Sequence, residues 1–227
     1  MAGKSSKGSG GDRPVSVRVK TGRGRKVSST LWLHRQLNDP YVQRAKKEGY
    51  RSRAAYKLAE LDDKFRFLKH GKSVVDLGAA PGGWTQIAVE RCGKGTKVIG
   101  IDLKPVDPVE GAVLLVGDFM EEDTLKTLTE TVGEKVDIVL SDMAPNASGH
   151  AATDHTRIIM LCEAAFDFAV DMLAPGGVFV AKVLKGGTEN QLLTRMKKHF
   201  TTVKHAKPAA SRSDSAEAYV IAIGFKG

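Results

Sequence analysis

Residues 74–84 read Val74-Val75-Asp76-Leu77-Gly78-Ala79-Ala80-Pro81-Gly82-Gly83-Trp84, and they decide the fold. A short apolar run ends in a glycine-rich bend. Pro81 stands where a helix can begin, because its fixed φ suits a first turn and its missing N–H costs nothing there. The expected local structure is a strand, a tight loop and a helix N-terminus. Gly78, Gly82 and Gly83 allow backbone to approach a ligand closely, and free N–H groups at a helix start favour a carboxylate or phosphate. Glycines also make simple turns. Here strand, turn and helix signals follow one another in the order a nucleotide-type site requires.

Downstream, strands are expected at Ser73–Leu77, Lys97–Asp102, Ala112–Gly117, Asp137–Ser141, Gly177–Val183 and Ala218–Gly224, with a short one near Thr202–His205. Helices fall between them. The clearest is Arg157–Leu173, where Ile158, Leu161, Cys162, Ala165, Phe166 and Ala169 recur at helical spacing until Ala-Pro-Gly-Gly. This alternation predicts an α/β fold with a mostly parallel, seven-stranded sheet and helices on both faces. The last two strands follow each other without a helix, which predicts an antiparallel strand at one sheet edge.

Upstream, Leu31, Trp32, Leu33 and Leu37 form a helical stripe that breaks at Asp39-Pro40, and Tyr41, Val42 and Ala45 form a weaker one that stops at Gly49. A helix is expected over Arg51–Phe67 with Ala54, Ala55, Leu58, Leu61 and Phe65 inward. Arg53 and Lys57 share its other face, which is either ordinary charged surface or ligand-directed. Met1–Ser29 is rich in Gly, Ser, Lys and Arg and lacks the apolar content to order itself, so it reads as a disordered basic arm before a single domain over 30–227.

The chain of 227 residues is long enough for one buried core, and its hydrophobic fraction of 41% suits a soluble protein. No apolar run approaches the ~20 residues of a membrane span. Cys92 and Cys162 read as core residues in a reducing compartment, and the six histidines form no ligand cluster, so no metal is expected. The net charge of +9 is uneven: residues 1–69 hold 18 Lys and Arg against 6 Asp and Glu, leaving 17 against 20 for the rest. Such asymmetry is the electrostatic footprint of a nucleic-acid partner, the alternative being a solubilising tail. A cytoplasmic location is expected; the acid-poor N-terminal segment also admits an organellar transit peptide, against which its many glycines count.

In open α/β sheets ligands bind beyond the carboxyl ends of the strands. Asp102 closes one apolar run 24 residues after Gly78, the spacing at which an acid accepts hydrogen bonds from ribose hydroxyls, and Asp118 and Asp142 close two more. One such Asp is an ordinary helix cap; three point to a ligand with ribose, amine and positive charge. The loop is neither Gly-x-Gly-x-x-Gly nor a P-loop, which opposes a nicotinamide dehydrogenase and fits S-adenosylmethionine, whose cationic groups carboxylates attract. Lys182 interrupts Val178-Phe179-Val180-Ala181, an apolar run suited to a central strand. It is either buried with a purpose or snorkelling to solvent. Glu217, just before the last strand, is a second charge in a similar position.

Taken together, Arg51-Ser52-Arg53-Ala54-Ala55-Tyr56-Lys57, Val74 to Trp84, Gly117-Asp118-Phe119, Ser141 to Asn146, Phe179-Val180-Ala181-Lys182 and Glu217-Ala218-Tyr219 closely resemble the FtsJ/RrmJ family of ribosomal RNA 2′-O-methyltransferases, in order, from about Arg35 to the C-terminus. The resemblance implies a class I, Rossmann-like methyltransferase with a catalytic tetrad of Lys57, Asp142, Lys182 and Glu217. It implies S-adenosylmethionine contacts at Gly82, Trp84, Asp102, Asp118 and Asp142. The implied substrate is a uridine in the A loop of large-subunit ribosomal RNA within the assembled subunit, with no membrane and no obligate protein partner. Other readings are a different RNA specificity, transfer RNA or a cap ribose, and a non-catalytic RNA-binding assembly protein on the same fold.

Overall fold

The structure is a computed structural model and describes residues 27–145, 151–184 and 189–227. Most of the expected basic arm, residues 1–26, and Asn146 of the Ser141–Asn146 motif lie outside the described residues. Three helices come first: α1 (Val27–Leu37), α2 (Pro40–Glu48) and α3 (Ala54–Phe65). The sequence punctuates them. The Asp39 side chain accepts the Tyr41 N–H at 3.0 Å, Pro40 occupies the first turn, and Gly49 closes α2 at φ 80°.

Strands and helices then alternate as β1 (Val74–Leu77), α4 (Gly83–Cys92), β2 (Val98–Asp102), β3 (Ala112–Val116), α5 (Glu122–Val132), β4 (Val136–Ser141), α6 (Ala151–Met172), β5 (Leu173–Leu184), α7 (Glu189–His199), β6 (Phe200–Ala206) and β7 (Glu217–Phe225). The seven strands form one sheet in the order β3-β2-β1-β4-β5-β7-β6. β1 to β5 run parallel, and β7 lies antiparallel between β5 and β6, so the antiparallel excursion sits one strand in from that edge.

Side chains alternate across this sheet into two cores. Val75, Leu77, Phe179 and Ala181 face α5, α6 and α7 on one side, while Val74, Val178, Val180, Tyr219 and Ile221 face α3 and α4 on the other. Burying each large apolar side chain contributes about 1.5–3 kcal/mol. Chain direction reverses its spread at β1, with β2 on one side and β4 on the other, and that switch point opens a crevice at the carboxyl ends of β1 and β4.

Three local expectations need correction. Pro81 precedes the helix instead of starting it: α4 begins at Gly83 after a cis Ala80–Pro81 peptide and a left-handed Gly82 at φ 109°. α6 starts at Ala151, earlier than Arg157, and β5 is extended from Leu173, with a register shift opposite Val136 to Ile138 that absorbs the Ala-Pro-Gly-Gly segment. The glycines of this turn are also closely packed: a Cβ on Gly78 would meet Met143 Cγ at 2.7 Å, one on Gly82 would meet Arg51 Nη1 at 2.6 Å, and one on Gly83 would meet Ser52 Oγ at 2.7 Å.

Candidate active site

Sheet register brings the charged residues together. Ser141 pairs with Ala181, so Asp142 and Lys182, one residue beyond, stand side by side. Lys182 pairs across with Tyr219, and Glu217 lies two residues from Tyr219 on the same face, the face covered by α3. α3 delivers Lys57 to that face from 160 residues away.

The four side chains make one chain of contacts. Lys182 Nζ lies 2.8 Å from Asp142 Oδ1, donates to the Asp142 carbonyl at 2.9 Å, and lies 3.8 Å from Glu217 Oε2. Lys57 Nζ then sits 2.8 and 2.9 Å from the two oxygens of Glu217. All four side chains are mostly buried, Lys182 most of all at 10% exposed, so it is held inside and does not snorkel. Arg53 is likewise turned inward, its guanidinium on Asp39 at 2.5 Å and on the Ala210 carbonyl, so the face shared by Arg53 and Lys57 is not a solvated one.

Burial pulls the Lys182 pKa down, but the charges of Asp142 and Glu217 outweigh it and the net shift is upward. Lys182 therefore rests as an ammonium. Burial likewise pushes Asp142 up, and Lys182 and Lys57 more than reverse it, leaving Asp142 below the ordinary carboxylate range. A close pair of unit charges is worth about 4 kcal/mol at an effective dielectric near 20, which is why the pair keeps its charges when burial opposes them.

Two openings flank this chain. One is a cavity of about 690 Å³ at the switch point, lined by Gly78, Ala80, Asp102, Asp118, Phe119, Asp142 and Met143 among others. Asp102 accepts the Ala80 N–H at 3.0 Å and the Lys104 N–H at 2.9 Å, and Asp118 accepts the Met120 N–H at 2.9 Å. The other is a cleft of about 420 Å³ lined by Arg35, Arg53, Lys57, Arg212, Ser215 and Glu217, with Gln36 and Asp214. Asp142 belongs to the acidic cavity and Lys57 and Glu217 to the basic cleft, with Lys182 between them.

Of the residues expected at the cofactor, Asp102, Asp118 and Asp142 line the cavity, and Gly82 and Trp84 do not. Trp84 is buried, donates its indole N–H to the Ala54 carbonyl at 2.8 Å and packs against Tyr219 at 5.6 Å between ring centres.

Three residues escaped the sequence reading. Tyr219 donates its hydroxyl to Asp142 Oδ1 at 2.7 Å, and burial, with the charges of Asp142 and Glu217, raises its pKa well above the ordinary value. Ser211 donates to Glu217 Oε1 at 2.7 Å. Asp76, fully buried in β1, accepts the Thr85 hydroxyl at 2.7 Å through one oxygen, while its Oδ1 is without a protein partner. Burial, with a smaller push from Asp142 and Asp102, raises its pKa to about 7 against the Thr85 hydrogen bond. The signal for Asp76 was present: it interrupts an apolar run just as Lys182 does.

No group of three or more metal-ligating side chains stands among the described residues, and no described helix is long and apolar enough to cross a membrane. A family profile described as FtsJ-like methyltransferase matches residues 50–225. The chain is 58% identical to "Ribosomal RNA large subunit methyltransferase E" of Parvibaculum lavamentivorans, over 99% of this chain and 93% of that one. It is 57% identical to the protein of the same name from Granulibacter bethesdensis, over 100% and 97%. Among solved structures, a ribosomal RNA methyltransferase, putative in its own description, from Plasmodium falciparum superposes with a TM-score of 0.70 at 34% identity, over 78% of this chain and 100% of that one.

Proposed function

This chain belongs to the FtsJ-like methyltransferase family, and on that premise we propose that it transfers a methyl group from S-adenosylmethionine to a ribose 2′-hydroxyl of large-subunit ribosomal RNA, a uridine of the A loop in the assembled subunit, in the cytoplasm. One observation carries the reading: the continuous chain Asp142, Lys182, Glu217, Lys57 joins an acidic cavity to a basic cleft. The relatives' names support the choice of RNA.

The acidic cavity suits a ligand with cationic groups and a ribose. Asp102, already fixed by two backbone N–H groups, is placed for the ribose hydroxyls; Asp142 presents negative charge where a sulfonium or ammonium would sit; and Phe119 and Met143 give apolar wall. S-adenosylmethionine supplies the methyl carbon on a positively charged sulfur. The basic cleft suits the phosphates that flank the target ribose.

With S-adenosylmethionine bound at the carboxylates of the cavity, its sulfonium would supply the methyl group, the ribose 2′-oxygen would bond to that carbon as it gave up its proton, and the sulfur would leave with the bonding pair. Lys182 reaches this step protonated, because Asp142 and Glu217 hold it so, and its ammonium stabilises the charge developing on the attacking oxygen. The hydroxyl proton leaves to water in the open cleft. Asp142 holds Lys182 in place, with Tyr219 fixing the carboxylate, and Lys57 with Glu217 orients the ribose.

The test is incubation with methyl-labelled S-adenosylmethionine and large-subunit particles lacking the modification, followed by mapping of the labelled nucleoside. Label on a 2′-O-methyluridine of the A loop is the expected result. Label on a base, on another RNA, or nowhere would overturn the reading.

A further inference from the structure

Arg51 lies outside both openings yet touches the frame of one. Its Nη1 donates to the Pro81 carbonyl at 3.3 Å and to the Asp107 carbonyl at 2.5 Å, and its Nη2 donates to the Pro108 carbonyl at 2.7 Å. Pro81 belongs to the turn between β1 and α4; Asp107 and Pro108 belong to the loop between β2 and β3. The near end of that loop is gripped from inside the cavity, where Asp102 accepts the Ala80 N–H at 3.0 Å, and Leu103 and Lys104 line the wall. The far end has the Arg51 guanidinium.

The backbone around Arg51 is itself held. Gln86 of α4 accepts the Arg51 N–H at 2.9 Å and donates to the Gly49 carbonyl at 3.1 Å. Gly82 has a left-handed backbone at φ 109°, and a Cβ there would lie 2.6 Å from Arg51 Nη1, so the guanidinium would have to shift. A planar fork serves carbonyls from two loops with one rigid group, which an ammonium cannot copy. Arg51 also stands at the head of the segment that carries Arg53 and Lys57 into the basic cleft.

We infer that Arg51 is a positioning residue that fixes the wall of the cofactor cavity by tying the 103–110 loop to the Ala80–Gly82 turn. This rests on the reading of that cavity as the S-adenosylmethionine site. Because the tie is to backbone and lies on the Asp102 side of the cavity, its loss falls on binding of the adenosine portion.

The test measures equilibrium binding of S-adenosylhomocysteine and of adenosine to the full chain, with thermal unfolding alongside, for wild type, Arg51→Ala, Arg51→Lys and the exposed control Arg44→Ala. Arg51→Ala is expected to weaken both ligands by roughly tenfold, the scale of losing charge-assisted hydrogen bonds that water partly replaces. Arg51→Lys is expected to fall between it and wild type, Arg44→Ala to match wild type, and saturating cofactor to restore single-turnover methyl transfer in Arg51→Ala. Unchanged binding in a folded Arg51→Ala overturns the inference, as does weakening that Arg51→Lys does not relieve and that tracks loss of thermal stability. If Arg51→Ala does not fold, Arg51→Lys decides alone: affinity equal to wild type overturns the inference. Wild type that binds neither ligand overturns the reading of the cavity itself, a separate failure.

Discussion

The acidic cavity and the basic cleft meet at Lys182 but are built differently. The cavity's carboxylates are strand ends: Asp102 closes β2, and Asp118 and Asp142 follow β3 and β4 by one or two residues. Any parallel sheet of this kind gathers such residues at one edge. The cleft takes Arg35 from α1, Arg53 and Lys57 from the start of α3, and Arg212 and Glu217 from the last connection and β7, a gathering that only tertiary packing makes. The first half is a property of the fold class. The second is a property of this particular packing, and there the choice of acceptor must reside.

Substitutions should separate the halves. Among substitutions confined to one half, the largest effect is expected at Glu217 and Lys57: replacing either with Ala should slow single-turnover transfer on the order of a hundredfold while leaving the dissociation constant for S-adenosylhomocysteine unchanged. A matching loss of cofactor affinity would mean that the two openings are not distinct. Asp102→Ala should do the opposite, weakening cofactor by roughly tenfold to a hundredfold through lost charged hydrogen bonds, with RNA binding unaltered in a filter or fluorescence assay. Arg212→Ala should weaken RNA only severalfold and reduce the slope of log affinity against log salt by about one, with cofactor binding untouched. An unchanged slope would remove Arg212 from phosphate contact.

The smallest effect sharpens the frame beneath the cavity. The folded pKa of Asp76 lies near 7, above the ordinary carboxylate value, so the fold favours its neutral form. Its contribution to stability is fully present below that ordinary value and is lost as pH rises through about 7. The Tm of wild type relative to Asp76→Asn should therefore fall between about pH 4 and pH 8, and a constant difference would place an ionised carboxylate at β1 in the folded protein.

The same contrast explains what the sequence could tell. The strand-end aspartates were legible because alternating apolar runs and their polar termini are local patterns, and Lys182 was legible because an ammonium within an apolar run is costly wherever the strand lies. The pairing of Lys57 with Glu217 was not, since nothing local links residues on α3 and β7; a family resemblance implied it and the structure brings the two within 2.8 Å. Gly82 and Gly83 were legible only in part. The turn they make is a local pattern, but the neighbours that would crowd a Cβ there, Arg51 and Ser52, come from a distant segment. The charge state of Lys182 also lay beyond the sequence, because burial and two carboxylates act on it in opposite directions and only their distances decide the sum.

Lys182→Ala tests the central claim most directly, because this residue joins the openings without being needed to fill either. Binding of S-adenosylhomocysteine and of large-subunit particles should stay within about twofold of wild type, while single-turnover transfer of the labelled methyl group falls by a thousandfold or more, roughly the worth of one preorganised charge at the reacting oxygen. Transfer at a rate near that of wild type, with both ligands bound, would contradict the account.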